Sequence, residues 1–222
     1  MFTGIVAELG EVAGIAQRGD AARLTIRGST EGVSPGESIA VNGVCLTVAG
    51  ILDGTFTADV MGETLDRSSL GGLTPGAPVN LEQSVRLADR LGGHLMQGHV
   101  DGTGTIISRS PAEHWDQVRI SLPAGLSRYL VHKGSIAVDG ISLTVSALGP
   151  PEKERDTWFE VCLIPETLKR TTMGTRQPGE VVNLEVDVIA KYVERLLNEE
   201  ASADVHRDRG RTRRGGRHRA AR

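Results

Sequence analysis

The chain repeats itself once, and nothing else in the sequence limits its fold so strongly. Ser38–Val48 reads SIAVNGVCLTV and Ser135–Val145 reads SIAVDGISLTV, identical at eight of eleven positions at an offset of 97. Glu63–Glu82 (ETLDRSSLGGLTPGAPVNLE) and Glu166–Glu185 (ETLKRTTMGTRQPGEVVNLE) match at eleven of twenty, at an offset of 103. The front ends align as well: Gly4-Ile5-Val6 with Gly98-His99-Val100, and Gly10 with Gly104. Three blocks in the same order mean two copies of one unit of roughly 90 residues, too long for a solenoid repeat and right for a small domain. The offsets differ by six residues, which fall around GPPEKERD (149–156) and predict a lengthened hairpin there. Each copy should then carry its own version of one site.

Within a copy the pattern is β. Arg23–Ile26, Ser38–Val41, Leu46–Ile51, Thr55–Val60 and Val79–Gln83 are short runs rich in Val, Ile, Thr and Leu, separated by Gly, Pro and Asp turns. Asp53-Gly54, Asn42-Gly43 and Asp139-Gly140 are hairpin turn signals, because both central residues of such turns take positive φ. Six strands closing on themselves leave no exposed edge. The expected fold is therefore all-β: two similar six-stranded Greek-key β-barrels in tandem, residues 1–94 and 95–186. A C-terminal α-helix (187–199) and a basic tail (200–222) follow. Asp187 can cap that helix. Val188, Ile189, Tyr192, Val193, Leu196 and Leu197 form a double apolar row opposite Lys191, Glu194, Arg195 and Asn198. Such a row packs on its own barrels or joins copies of itself.

Charge and composition exclude several classes. Residues 201–222 hold eight Arg against Asp204 and Asp208, a balance of +6, so the first 200 residues carry −9 of a chain total of −3. A globule that acidic is poorly suited to nucleic acid, which is not an expected partner. The tail lacks apolar residues to pack and reads as a disordered, solvated appendage. Two cysteines exclude a disulfide scaffold, and no apolar run approaches the roughly 18 residues of a membrane span. MFTGIVAELGE has no signal-peptide pattern, so a cytoplasmic location is expected, with no membrane association. His94 and His99 lack the company of a cysteine pair, so no metal is expected. GGHLMQGHVDGTG lacks the GK[ST] ending of a phosphate loop.

MFTGIV, NGVCLTV, GGHLMQGHVDGTG, KGSIAVDGISLTV and LIPETLKRTT together resemble the riboflavin synthase family of the alpha-chain type, built from two lumazine-binding barrels. The resemblance spans about residues 1–198 and leaves out the basic tail. It implies a dismutation of two 6,7-dimethyl-8-ribityllumazine molecules by transfer of a four-carbon unit, giving riboflavin and 5-amino-6-ribitylamino-uracil. It implies no cofactor and no metal. It further implies a homotrimer held by the C-terminal helix, with the active site between barrels of neighbouring subunits, and lumazine synthase as a candidate partner.

The motifs assign the first barrel's substrate site to Gly4, Ile5, Val6, Cys45, Leu46, Thr47, Asp59, Val60, Met61, Gly62, Glu63 and Thr64. They assign the second barrel's site to Gly98, His99, Val100, Lys133, Ser142, Leu143, Thr144, Cys162, Leu163, Ile164, Pro165, Glu166 and Thr167. The copies differ at Cys45 against Ser142 and at Ile5 against His99. Two equal binding sites would not need those differences. Cys45 and Ser142 are candidate nucleophiles or ring hydrogen-bonders. Thr47 and Thr144 lie two residues on, hence on the same strand face. His99 is the candidate proton carrier, with Thr144 beside Ser142 in the catalytic set and His94 as the alternative histidine. Asp139, Glu63 and Glu166 are candidates to fix geometry or pair with Lys133 or Arg67. Family members often carry two adjacent cysteines in the NGxCLTV block; here the first position is Val44, which leaves Cys45 as the thiol there. The competing reading is a lumazine protein, a non-catalytic antenna on the same double barrel. The polar set Lys133, Ser142, Thr144 and His99 favours the enzyme.

Overall fold

The computed structural model describes residues 1–28, 30–149 and 157–198. The predicted long hairpin falls mostly on 150–156, and the basic tail falls on 199–222; both lie outside the described residues. Strands β1 (Glu8–Arg18), β2 (Ala21–Arg27), β3 (Ser38–Val41), β4 (Val44–Leu52), β5 (Thr55–Met61) and β6 (Pro78–Gln83) close into a barrel in the order β1-β2-β5-β4-β3-β6. The second barrel uses β7 (Gly102–Pro111), β8 (Asp116–Ser121), β9 (Ser135–Val138), β10 (Ile141–Leu148), β11 (Trp158–Leu163) and β12 (Val181–Val186). Its ring, β7-β8-β11-β10-β9-β12, has the same topology. Between β5 and β6 lies the short helix α1 (Gly62–Arg67), and between β11 and β12 its counterpart α2 (Pro165–Arg170).

Alternation builds both cores. On β2, Ala22, Leu24 and Ile26 point inward, on β5 Phe56, Ala58 and Val60, and on β12 Val182, Leu184 and Val186, all buried. The cores are aliphatic around single phenylalanines, Phe56 and Phe159. β1 is the strand that periodicity does not show, because glycines interrupt its run. Gly10 has a physical reason: a Cβ there would stand 2.4 Å from Leu81 Cδ1 and 2.7 Å from Arg27 O. Asp53 and Gly54 take φ of 46° and 71°, as a type I′ hairpin requires.

The two barrels meet at the turns between β3 and β4 and between β9 and β10. Asn42 and Asp139 both have φ of 46°, and Gly43 and Gly140 follow at 78° and 79°. A Cβ on Gly43 would lie 2.6 Å from Gly140 N, and one on Gly140 would lie 2.7 Å from Gly43 N, so the two turns touch backbone to backbone. Asn80 donates to Asp139 O at 2.8 Å, and Asn183 donates to Asn42 O at 2.8 Å. The seam therefore carries the repeat's two-fold symmetry in its hydrogen bonds.

Residues 188–198 form a helix, which separates from Met1–Asp187 as a second unit. Its apolar row is exposed in the single chain: Ile189, Tyr192, Val193, Leu196 and Leu197 are each about half or more accessible.

Candidate functional site

Strand alternation sorts the motif residues into two groups. Leu46, Val60, Leu143 and Leu163 point into the barrels and are buried, so they offer the outer face only their backbone. Cys45 and Thr47 on β4, and Ser142 and Thr144 on β10, point outward together, as their spacing requires.

The N-terminal arms are exchanged. Glu82 at the end of β6 accepts from Thr3 N–H at 2.6 Å, Thr3 Oγ1 at 2.8 Å and Gly4 N–H at 3.0 Å. Glu185 on β12 accepts from Gln97 N–H at 2.7 Å and Gly98 N–H at 3.0 Å. Each carboxylate anchors the arm of its own half. Each arm then reaches across the seam: Ser142 N–H donates to Gly4 O at 2.8 Å, and Cys45 N–H donates to Gly98 O at 2.9 Å. Phe2 and Met96 pair antiparallel where the arms cross. This corrects the grouping read from sequence. His99 and Val100 belong with Cys45, and Ile5 and Val6 belong with Ser142. The physical reason is the anchor, which holds each arm beside the other barrel's fourth strand. Glycine is required at both crossings: Gly4 and Gly98 have φ of 77°, and a Cβ on either would lie 2.6 Å from the Cβ of Ser142 or Cys45 respectively.

The first barrel's outer face holds a cavity of about 360 Å3. Val44, Cys45 and the Gly98–Val100 arm form one wall, and Glu63, Thr64, Arg67 and Ser68 form the other. Cys45 is a half-buried free thiol, and His99 is exposed. Glu63 pairs with Arg67 at 3.0 Å on α1. The repeat places Ser142, Glu166, Thr167, Arg170 and the Gly4–Val6 arm at the equivalent second position, with Glu166 paired to Arg170 on α2. The short helices are thus real elements, with the exposed Met61 and Ile164 at their N-cap positions and no capping side chain at either.

The second position has a feature the first lacks. His94 is 8% exposed, and its Nδ1 lies 2.7 Å from Ser142 Oγ. Burial lowers its pKa, and the charge of Asp187 opposes that shift. Its Nε2 is buried without a partner among the described residues. Gly93 makes room for the pair: a Cβ there would lie 2.7 Å from Ser142 Oγ. A neutral imidazole on a serine hydroxyl is a proton-accepting arrangement.

Other motif residues have different employment. Asp59 is held by Arg23 through two hydrogen bonds, at 2.7 and 2.5 Å, on the barrel surface; those bonds lower its pKa. Its counterpart Cys162 is exposed on β11. Lys133 is exposed with φ of 67°, and its side chain meets no carboxylate among the described residues. Asp139 pairs with Arg176 at 3.2 Å rather than with Lys133. Sequence reasoning misses Glu82 and Glu185, although both end the second repeat block unchanged in the two copies. Burial raises the pKa of Glu82 against the opposing hydrogen bonds of Thr3 and Gly4.

The lumazine binding domain model matches twice, over residues 3–84 and 97–187. The riboflavin synthase of Mycobacterium tuberculosis is 62% identical over 200 residues, covering 89% of this chain and 98% of its own length. The Bacillus subtilis riboflavin synthase is 43% identical over 203 residues, covering 89% and 90%. Among solved structures, LumP complexed with riboflavin aligns with a TM-score of 0.76 at 25% identity, covering 84% of this chain and 99% of LumP. LumP complexed with 6,7-dimethyl-8-(1'-D-ribityl) lumazine aligns at 0.73 with the same identity and coverage.

Proposed function

The chain belongs to the lumazine-binding family and, within it, to the riboflavin synthases; from that premise we propose how its two outer-face positions divide the work. The reaction is the dismutation of two 6,7-dimethyl-8-ribityllumazine molecules by four-carbon transfer, giving riboflavin and 5-amino-6-ribitylamino-uracil. Relatives named riboflavin synthase, at up to 62% identity, favour this over the antenna reading.

Each position takes one lumazine. Holding two copies of one molecule in register turns a bimolecular step into an effectively unimolecular one, worth roughly 7–11 kcal/mol. The outward polar residues Thr47, Thr64, Thr144 and Thr167 serve the ribityl hydroxyls and ring edge. The methyl group on C7 of one lumazine is acidified by its conjugated ring, so a modest base suffices. Ser142 faces that proton and His94 receives it, a role supported by a buried, neutral imidazole 2.7 Å from the hydroxyl. At the first position Cys45 offers its sulfur to C7 of the other lumazine, and the exposed His99 exchanges protons with solvent. The observation that carries this division is Ser142 Oγ on the buried His94 Nδ1 at 2.7 Å, where the first position has Cys45 in a cavity that the exposed His99 also lines.

The two lumazines come from different subunits. The exposed row Ile189, Val193 and Leu196 supports a homotrimer closed by the helix 188–198, since a stripe of that kind seldom stays in water. We place the enzyme in the cytoplasm, a reading that fits its two free thiols. Lumazine synthase is the partner this reading names. The deciding experiment is turnover by Ser142→Ala. Its riboflavin formation should fall more than tenfold while riboflavin still binds the first position, roughly the lower end of a lost proton-transfer contribution. Turnover within twofold of the unsubstituted enzyme would remove Ser142 from the chemistry.

A further inference from the structure

The second barrel has a buried arginine where the first has none. Arg109 lies on β7, and the repeat puts Ile15 at its place on β1. Arg109 Nε donates to Asp116 Oδ2 at 2.6 Å, and Nη2 lies 2.6 Å from the same oxygen. Nη1 donates to Met173 O at 2.9 Å and Arg176 O at 3.0 Å, with Gly174 O at 3.5 Å. Both partners are largely buried, with side chains 15% and 12% exposed. At the place of Asp116 the first barrel has Ala22.

Those carbonyls belong to the turn that supports α2. A Cβ on Gly174 would stand 2.1 Å from Leu168 O, so turn and helix are in direct contact. Leu168 is the neighbour of Thr167 and two residues from Glu166. In the first barrel Gly71 approaches Leu65 O in the same way; Leu70 there and Met173 in the second barrel both pack the turn into the aliphatic core, but the first barrel has Ile15 where the second adds the arginine. Aliphatic packing sets a distance, whereas a planar guanidinium with several fixed donors sets a direction as well. Its hydrogen bonds are charge-assisted, hence shorter and stronger than neutral ones.

We propose that Arg109 is a positioning residue for the second lumazine position: acting through the Met173–Arg176 turn, it fixes α2 and the Glu166 and Thr167 side chains that α2 presents. The inference rests on the reading of the two outer faces as lumazine positions. It makes the two halves differ in how they are held, as well as in what they present. The first is held by packing alone and the second by packing together with a charged clamp.

Two variants of the full chain test it. Arg109→Lys keeps a cation against Asp116 but gives up the fork that spans the carbonyls. Arg109→Ile with Asp116→Ala installs the neutral pair with which the first barrel already folds. Riboflavin is titrated into each and into the unsubstituted enzyme, with flavin fluorescence and turnover as readouts. The unsubstituted enzyme should bind two riboflavins per chain; a different result there overturns the two-position reading itself. In both variants one position should weaken at least tenfold, the other should hold within twofold, and kcat should fall at least tenfold. Unchanged affinities and kcat overturn the role of Arg109, even with a lowered melting temperature. Equal weakening of both positions overturns it too. Should Arg109→Lys not fold, the double variant decides by the same criteria.

Discussion

Asp139 and Arg176 form an ion pair at 3.2 Å beneath the seam between the barrels, and the repeat puts Asn42 and Leu73 at the same two places. The Asp139 carboxylate also accepts from Asn183 N–H at 2.8 Å, as Asn42 Oδ1 accepts from Asn80 N–H at 2.8 Å. One half has thus solved the turn with a neutral amide and the other with a buried acid, whose pKa burial raises from 3.8 to about 6 against the opposing Arg176.

That acid makes stability depend on pH. Because its folded pKa is raised, Asp139 stabilises the fold below about pH 4 and withdraws that contribution as pH rises through about 6. A displacement of that size is worth about 3 kcal/mol. Asp139→Asn removes the effect. The stability advantage of the unsubstituted chain over this variant should therefore shrink between pH 4 and pH 7, by urea unfolding. An advantage that is constant or grows with pH contradicts the assignment.

The exchanged arms predict how the first half behaves alone. In residues 1–95 Cys45 N–H has lost Gly98 O, and Gly4 O has lost Ser142 N–H. Two copies can restore both bonds by giving each other their arms. This fragment should sediment as a dimer and bind one riboflavin per chain. A monomer that binds as well would show that the crossing arm is dispensable.

His94 and Ser142 should behave as one unit. Each alanine substitution should lower kcat more than tenfold, a typical proton-transfer contribution. The double substitution should cost little more than either single one, as groups acting together do. Fully multiplicative losses in kcat would separate them.

The helix is tested by charge. Val193→Glu with Leu196→Glu should yield chains that remain monomeric in sedimentation, bind riboflavin and hardly turn over. Burying such unpaired charges costs several kcal/mol in an apolar interface. Active monomers would mean that one chain supplies both lumazines.

Much of this is legible in the residues. The repeat yields the two barrels, their hairpin turns and the outward positions of Cys45, Thr47, Ser142 and Thr144. β1 is hidden because its glycines serve close approach rather than strand propensity. The exchange of arms is hidden for a different reason: alignment of Gly4–Val6 with Gly98–Val100 says that they are equivalent, not which barrel each one visits. That choice is made by Glu82 and Glu185, long-range acceptors with no local pattern. Arg109 and Arg176 are likewise invisible, since a buried arginine and an exposed one look alike in a strand or a loop.

The most direct measurement follows 6,7-dimethyl-8-ribityllumazine and riboflavin together by absorbance as the purified chain acts on the lumazine with no metal or cofactor added. The account predicts that one riboflavin appears for every two lumazines consumed. Lumazine that binds, fluoresces and is not consumed would contradict it and leave the antenna in its place.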